Sequence, residues 1–205
     1  LRIGPRHAGL GTFRTLFAFG WRTQVSRLAN LIMFETDVLV IAILLRDLHL
    51  AGLYRIGIEL ANKLRHVPGV MLSALMPAAS DLHARNETDR LGAIYVATTK
   101  YIAAAMVPAA VLLASTAGVA MVAWQGAMAG ADTAANVLRI MALGYLANML
   151  PGAGVAIALG MGRADLQMRA GLISMVSNIV LTVALALTIG FWGIPLATVL
   201  SMAIS

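Results

Sequence analysis

The chain contains no cysteine. That excludes disulfide frameworks, thiolate metal sites and cysteine nucleophiles. Charge is nearly as scarce. Asp, Glu, Lys and Arg make up 12% of the 205 residues while hydrophobic types reach 60%, against roughly 25% and 45–50% in an ordinary soluble domain. So little charge cannot cover a soluble body of this size, and so much apolar content excludes disorder. Aromatics are only 6%. No basic stretch studded with aromatics offers a base-stacking surface, so nucleic acid is not an expected partner. No glycine-rich phosphate loop and no nucleophile motif is present, so the chain reads as a non-enzyme with no catalytic residue and no cofactor. The loop histidines His49 and His83 have no other donors at ligand spacing, so no metal is expected.

What is present is long apolar sequence. Residues 101–131, 140–162 and 170–205 contain no Asp, Glu, Lys or Arg, and GFWGIP at 190–195 breaks the last of these. Residues 16–45 and 52–79 are apolar with isolated charges. About 20 mostly apolar residues cross a bilayer core of roughly 30 Å as a helix. The expected fold is an all-α, polytopic transmembrane bundle of six helices at 14–45, 51–80, 90–120, 136–160, 164–190 and 193–205, the last truncated. Pro68, Pro77, Pro108 and Pro151 fall inside these spans, where kinks are expected. The chain starts at Leu1 without a signal peptide and stops inside an apolar run. It therefore reads as a fragment of a longer membrane protein.

Arginine is distributed unevenly between alternate loops. With the N-terminal end in the cytoplasm, Arg2, Arg6, Arg14, Arg85, Arg90, Arg163 and Arg169 fall on the cytoplasmic side, against Arg46, Arg55 and Arg139 opposite. That alternation follows the positive-inside rule.

Ionisable groups inside spans are costly unless they face protein or water, and so mark function. Arg55, Glu59, Asn62, Lys63 and His66 share one stripe of the second helix, at 3.6 residues per turn. Arg55–Glu59 and Glu59–Lys63 are i,i+4 pairs able to neutralise each other. Thr23, Arg27, Asn30 and Asp37 share an arc of the first helix, with Glu35 off that arc. A short loop makes the two helices an antiparallel hairpin, so the stripes are expected to line one hydrophilic compartment. Lys100 and Arg139 lie near span ends and snorkel. Asn148, Ser174 and Asn178 read as hydrogen-bond glue between helices.

Several segments resemble the multidrug/oligosaccharidyl-lipid/polysaccharide exporter superfamily, in its polysaccharide (O-antigen type) flippase branch. They are FGWRTQVSRLANLIMFETDVLVIAILL (19–45), AGLYRIGIELANKL (51–64), LSALMPAASDLHARNETDRL (72–91), MALGYLANMLPGAGVAIALGMGRADLQMRAGLISMVSNIVL (141–181) and GFWGIPLATVLS (190–201). The family's late acidic residue in a lobe's first helix is matched by Asp37, its Gly-x-Tyr by Gly52 and Tyr54, its Pro and Ser by Pro77 and Ser80, and its fifth-helix Asn by Asn178. Members have two six-helix lobes. The resemblance therefore implies that 14–205 is one lobe, preceded by a cytoplasmic linker at 1–13 and lacking its second lobe. The linker-like start favours the C-terminal lobe.

The implied function is flipping of lipid-linked oligosaccharide, carried on undecaprenyl pyrophosphate, across the bacterial inner membrane by alternating access. Membrane lipid and the missing lobe are the other partners. Arg27, Asn30, Arg55 and Lys63 are the expected substrate-binding residues. Asp37 and Glu59 are the expected ion-coupling residues, exchanging protons or sodium ions. The alternatives are a cation-coupled multidrug exporter and a non-transporting membrane scaffold. The excess of Arg27, Arg55 and Lys63 over Asp37 and Glu59 favours an anionic substrate.

Overall fold

A computed structural model describes residues 10–126 and 128–204. Helix α1 spans Leu10–Ile43, α2 Leu48–Lys63, α3 His66–Ala84, α4 Thr88–Ser115 and α5 Ala117–Gln125. Helix α6 spans Ala131–Met149, α7 Gly152–Gly160, α8 Ala164–Ile189 and α9 Gly193–Ile204, with a 3-10 turn at Gly190–Trp192 before α9. The described residues contain no strand. Of the linker expected at 1–13, residues 1–9 lie outside the described residues, and α1 already begins at Leu10.

Three of the expected continuous helices are broken pairs: α2 with α3, α4 with α5, and α6 with α7. The α6–α7 break falls at Leu150 and Pro151 and bends the pair by 42°. Proline there removes a backbone donor and crowds the carbonyl four residues back. The α2–α3 break falls at Leu64 and Arg65, just ahead of Pro68. Pro68 then occupies the first turn of α3, where its missing N–H is one of the donors a helix leaves free anyway. Pro77 and Pro108 lie inside uninterrupted helices.

Two stretches, Thr88–Ser115 and Ala164–Ile204, are long and apolar enough to cross a membrane, and α6 with α7 makes a third if the bent pair is one span. The second folds back at its 3-10 turn, since Asn178 bonds Thr198 and Ser174 bonds the Ser201 carbonyl. Helix α1 has the length, at 34 residues, but Arg27, Glu35 and Asp37 interrupt its apolar half. Helix α2 is short and carries Arg55, Glu59 and Lys63. Large apolar side chains stay exposed on the outside of the bundle, among them Leu28, Leu31, Val111, Leu112, Val176, Val180 and Leu187. A soluble surface would not spread so much apolar area over three helices. The chain is a helical membrane protein.

Two parallel helix pairs fix the register. Along α1 and α8, Ser26 meets Gln167, Met33 meets Ser174 and Asp37 meets Asn178, each pair 141 residues apart. The two broken helices run side by side in the same way. Gly57 packs on Val137, Arg65 on Tyr145, Leu72 on Gly152 and Ser80 on Gly160, a spacing that does not change across either break. Small residues permit the approach. A Cβ at Gly57 would sit 2.7 Å from the Ala134 carbonyl oxygen and 2.9 Å from Val137. One at Gly160 would collide with the Met76 carbonyl.

The apolar interior is correspondingly divided. The larger cluster joins α1, α2, α5, α6, α8 and α9 around Met33, Ile41, Tyr54, Met121, Leu138, Tyr145 and Ile194. A smaller one, around Leu75, Ala153 and Ala156, lies between α3, α7 and the start of α4.

Candidate functional site

Asp37 is fully buried on the face of α1 that meets α8 and α9. Tyr54 donates its hydroxyl to Oδ2 at 2.7 Å, and Thr198 donates to the same oxygen. Thr182 donates to Oδ1 at 3.1 Å and Asn178 donates its amide there at 3.3 Å. None of the ion pairs among the described residues includes Asp37. A carboxylate is an acceptor with two oxygens, and three helices, α2, α8 and α9, supply its four donors.

The local sequence explains the convergence. Ser174, Asn178 and Thr182 are four residues apart, on one stripe of α8. Thr198 and Ser201 are three apart on α9. Both stripes are buried. Hydroxyl and amide groups on otherwise apolar helices must find partners once water is gone. Thr198 has a second acceptor in the Ile194 carbonyl at 3.2 Å, and its Oγ1 accepts from Asn178 at 3.1 Å. The Asn178 Oδ1 is buried with no hydrogen-bond partner. Asn178 and Ser174 do bridge helices, as expected of glue, but Asn178 also belongs to the carboxylate's shell.

The expected α1 stripe divides in the structure. Asp37 points inward, whereas Arg27 and Asn30 are exposed, Asn30 donating to the Ser26 carbonyl at 2.8 Å. The structure does not bring these two to Asp37. The reason is axial: Asp37 stands where Tyr54, Thr182 and Thr198 converge, and Arg27 and Asn30 lie about three and two turns away along α1.

The α2 stripe stays together on an exposed face, with a changed pairing. Sequence spacing placed Glu59 between Arg55 and Lys63. Instead Arg55 donates to both carboxylate oxygens of Glu35 on α1, at 3.1 and 2.9 Å. Glu59 is left to Lys63 alone, at 3.3 Å. The hairpin register sets Glu35 opposite Arg55, just as it sets Asp37 opposite Tyr54. Glu35, off the predicted arc, is therefore the residue by which α1 joins the ionic face. The Lys63 ammonium also lies 5.8 Å from the centroid of the Trp124 ring.

Sequence reasoning passed over Arg65. Its guanidinium lies over the Tyr145 ring at 5.1 Å and the Phe34 ring at 5.7 Å. No described carboxylate pairs with it. The available signal was an uncompensated arginine in the middle of an expected span. It lies off the stripe that the other ionisable residues of the span mark. Lys100 is exposed on α4, and Arg139 reaches the Ala114 carbonyl at 3.3 Å, tying α6 to the end of α4.

A family model described as polysaccharide biosynthesis protein matches residues 2–127, more than half of the chain. No curated protein and no solved structure matches it.

Proposed function

The chain belongs to the polysaccharide biosynthesis protein family, and on that premise we propose that it is a lobe of a flippase for lipid-linked oligosaccharide. The observation that carries this reading is the ionic face of α1 and α2. Glu35, Arg55, Glu59 and Lys63 stay exposed and paired there, on a bundle that exposes large apolar side chains along α4 and α8. Charged groups facing hydrocarbon cost several kcal/mol. A face of this kind fronts a hydrated cavity instead, where a glycan and its pyrophosphate pass while the lipid tail stays in the bilayer.

In this reading the six helical passes span the bacterial inner membrane with the N-terminal end in the cytoplasm. The lobe rocks against a second lobe around the cavity. Arg27 and Asn30 flank the cavity on α1, and Arg55 and Lys63 on α2. Asp37 is the coupling group, exchanging a proton or a sodium ion inside its shell of hydroxyl and amide groups. Glu59, already paired with Lys63, holds that side chain. Arg55 and Lys63 are balanced by Glu35 and Glu59, while Arg27, exposed on α1, has no carboxylate partner among the described residues, so the cavity is net positive and suits an anion.

The test is export in cells. Arg55→Glu should reduce surface polysaccharide and trap lipid-linked repeat units on the cytoplasmic leaflet. Adding Glu35→Arg should restore export by rebuilding the pair in reverse. Normal surface polysaccharide with loss of cationic dye efflux would replace this reading with the multidrug exporter. Loss of protein level alone, with no transport change per molecule, would leave a scaffold.

A further inference from the structure

The cations of the ionic face already have partners. Arg55 is held by both oxygens of Glu35, and Lys63 by Glu59. Arg65 differs in three ways. No described carboxylate neutralises it. It occupies the break between α2 and α3, with 16 helical residues on one side and 19 on the other, or about 24 and 28 Å of helix at 1.5 Å per residue. That is mid-length in the α2–α3 pair. Its guanidinium is also held in place: Phe34 and Tyr145, with ring centroids 6.3 Å apart, form a cup beneath it.

A guanidinium that stacks on aromatic rings is planar and can present paired N–H donors to two phosphate oxygens at once. Arg65 stands at the joint itself, the N-cap of α3, and has no side-chain cap there. Tyr145, fully buried beneath the guanidinium, has a hydroxyl that makes no hydrogen bond of ordinary geometry.

We propose that Arg65 is the phosphate-binding residue of this lobe, oriented by the Phe34–Tyr145 cup to take a lipid-borne diphosphate at mid-depth. The inference rests on the flippase reading and adds the residue that recognises the anion. Arg55 and Lys63 then act as paired walls of the cavity, with their charge already balanced. Phe34 and Tyr145 are positioning residues.

The experiment is binding of radiolabelled polyprenyl diphosphate to the full-length protein in nanodiscs, with inorganic pyrophosphate as competitor. Arg65→Gln should weaken binding about 10- to 100-fold, the loss of one charge-assisted contact to phosphate. Arg65→Lys should recover only part of it, since an ammonium keeps the charge without the fork. Tyr145→Phe should bind as wild type because the cup is kept. Tyr145→Leu should weaken binding several-fold while leaving Arg65 charged. Inorganic pyrophosphate that competes only at a large excess identifies a lipid-borne ligand, and competition at equal concentration identifies the free anion and overturns that part of the proposal. Unchanged affinity in Arg65→Gln, or equal affinity in Arg65→Lys and wild type, overturns the role of Arg65 and leaves the flippase reading standing. Wild-type protein that binds no polyprenyl diphosphate overturns both. If Arg65→Gln does not fold, the Tyr145→Leu and Tyr145→Phe pair decides.

Discussion

Replacing Asp37 by alanine removes one acceptor from four donors, and the structure says which donors suffer. Thr198 can keep the Ile194 carbonyl at 3.2 Å, and Asn178 keeps Thr198 Oγ1 at 3.1 Å. Tyr54 and Thr182 have no other acceptor for their hydroxyl protons among the described hydrogen bonds. Two stranded buried hydroxyls at about 1–3 kcal/mol each cost roughly 2–6 kcal/mol. For a chain of this size that lowers the thermal midpoint by roughly 5–20 °C. Tryptophan fluorescence of purified protein in nanodiscs reads the midpoint. Thr182→Val supplies the sharper test. In the wild-type background it removes a hydrogen bond to a carboxylate, worth about 1.5–3 kcal/mol. In the Asp37→Ala background it removes a hydroxyl that is already stranded, so it should raise the midpoint. The two substitutions are in contact and must couple. An equal drop from Thr182→Val in both backgrounds, or an Asp37→Ala midpoint within about 1 °C of wild type, would refute the hub.

Gly57→Ala should lower the midpoint by the equivalent of about 1–3 kcal/mol, because its new Cβ has no room beside Ala134 and Val137. Gly52→Ala, which meets nothing within 4 Å, should leave it unchanged, and equal effects would mean α2 and α6 are not so close. Single cysteines at Arg55 and Glu59 should react with a soluble thiol reagent while one at Leu187, 68% exposed, should not. Equal exposure with unequal reactivity separates a wet face from a lipid face, and equal reactivity would remove the cavity. Asn86→Cys, between α3 and α4, should label only from the cytoplasm; labelling from outside intact cells would invert the topology.

The helices were legible because charge-free runs of bilayer length are hard to read any other way. Their breaks were less so. Four prolines inside spans gave four equal expectations, but only Pro151 sits at a break. Pro77 and Pro108 are absorbed into continuous helices, because neighbouring packing, which sequence does not display, decides whether a freed carbonyl is tolerated. Asp37 stood out as an acid inside a span. Its shell did not, since Thr182 and Thr198 look like ordinary fillers of apolar helices and lie 145 and 161 residues away. The Arg55–Glu35 pair was hidden for a related reason. A helical wheel shows the neighbours within one helix, but the hairpin register that opposes Glu35 to Arg55 belongs to two.

The uneven distribution of breaks divides the lobe into a stiff side and a compliant one. Helices α1 and α8 run unbroken for 34 and 26 residues and act as a spine around Asp37. The α2–α3 and α6–α7 helices each carry an interruption, yet hold one register past both, so a bend in one is matched by a bend in the other. Arg65 lies at a break of that pair, and the carboxylate lies in the spine. At the carboxylate, the two sides are joined by the Tyr54 hydroxyl on Asp37, so a single proton donor latches the interrupted pair to the spine.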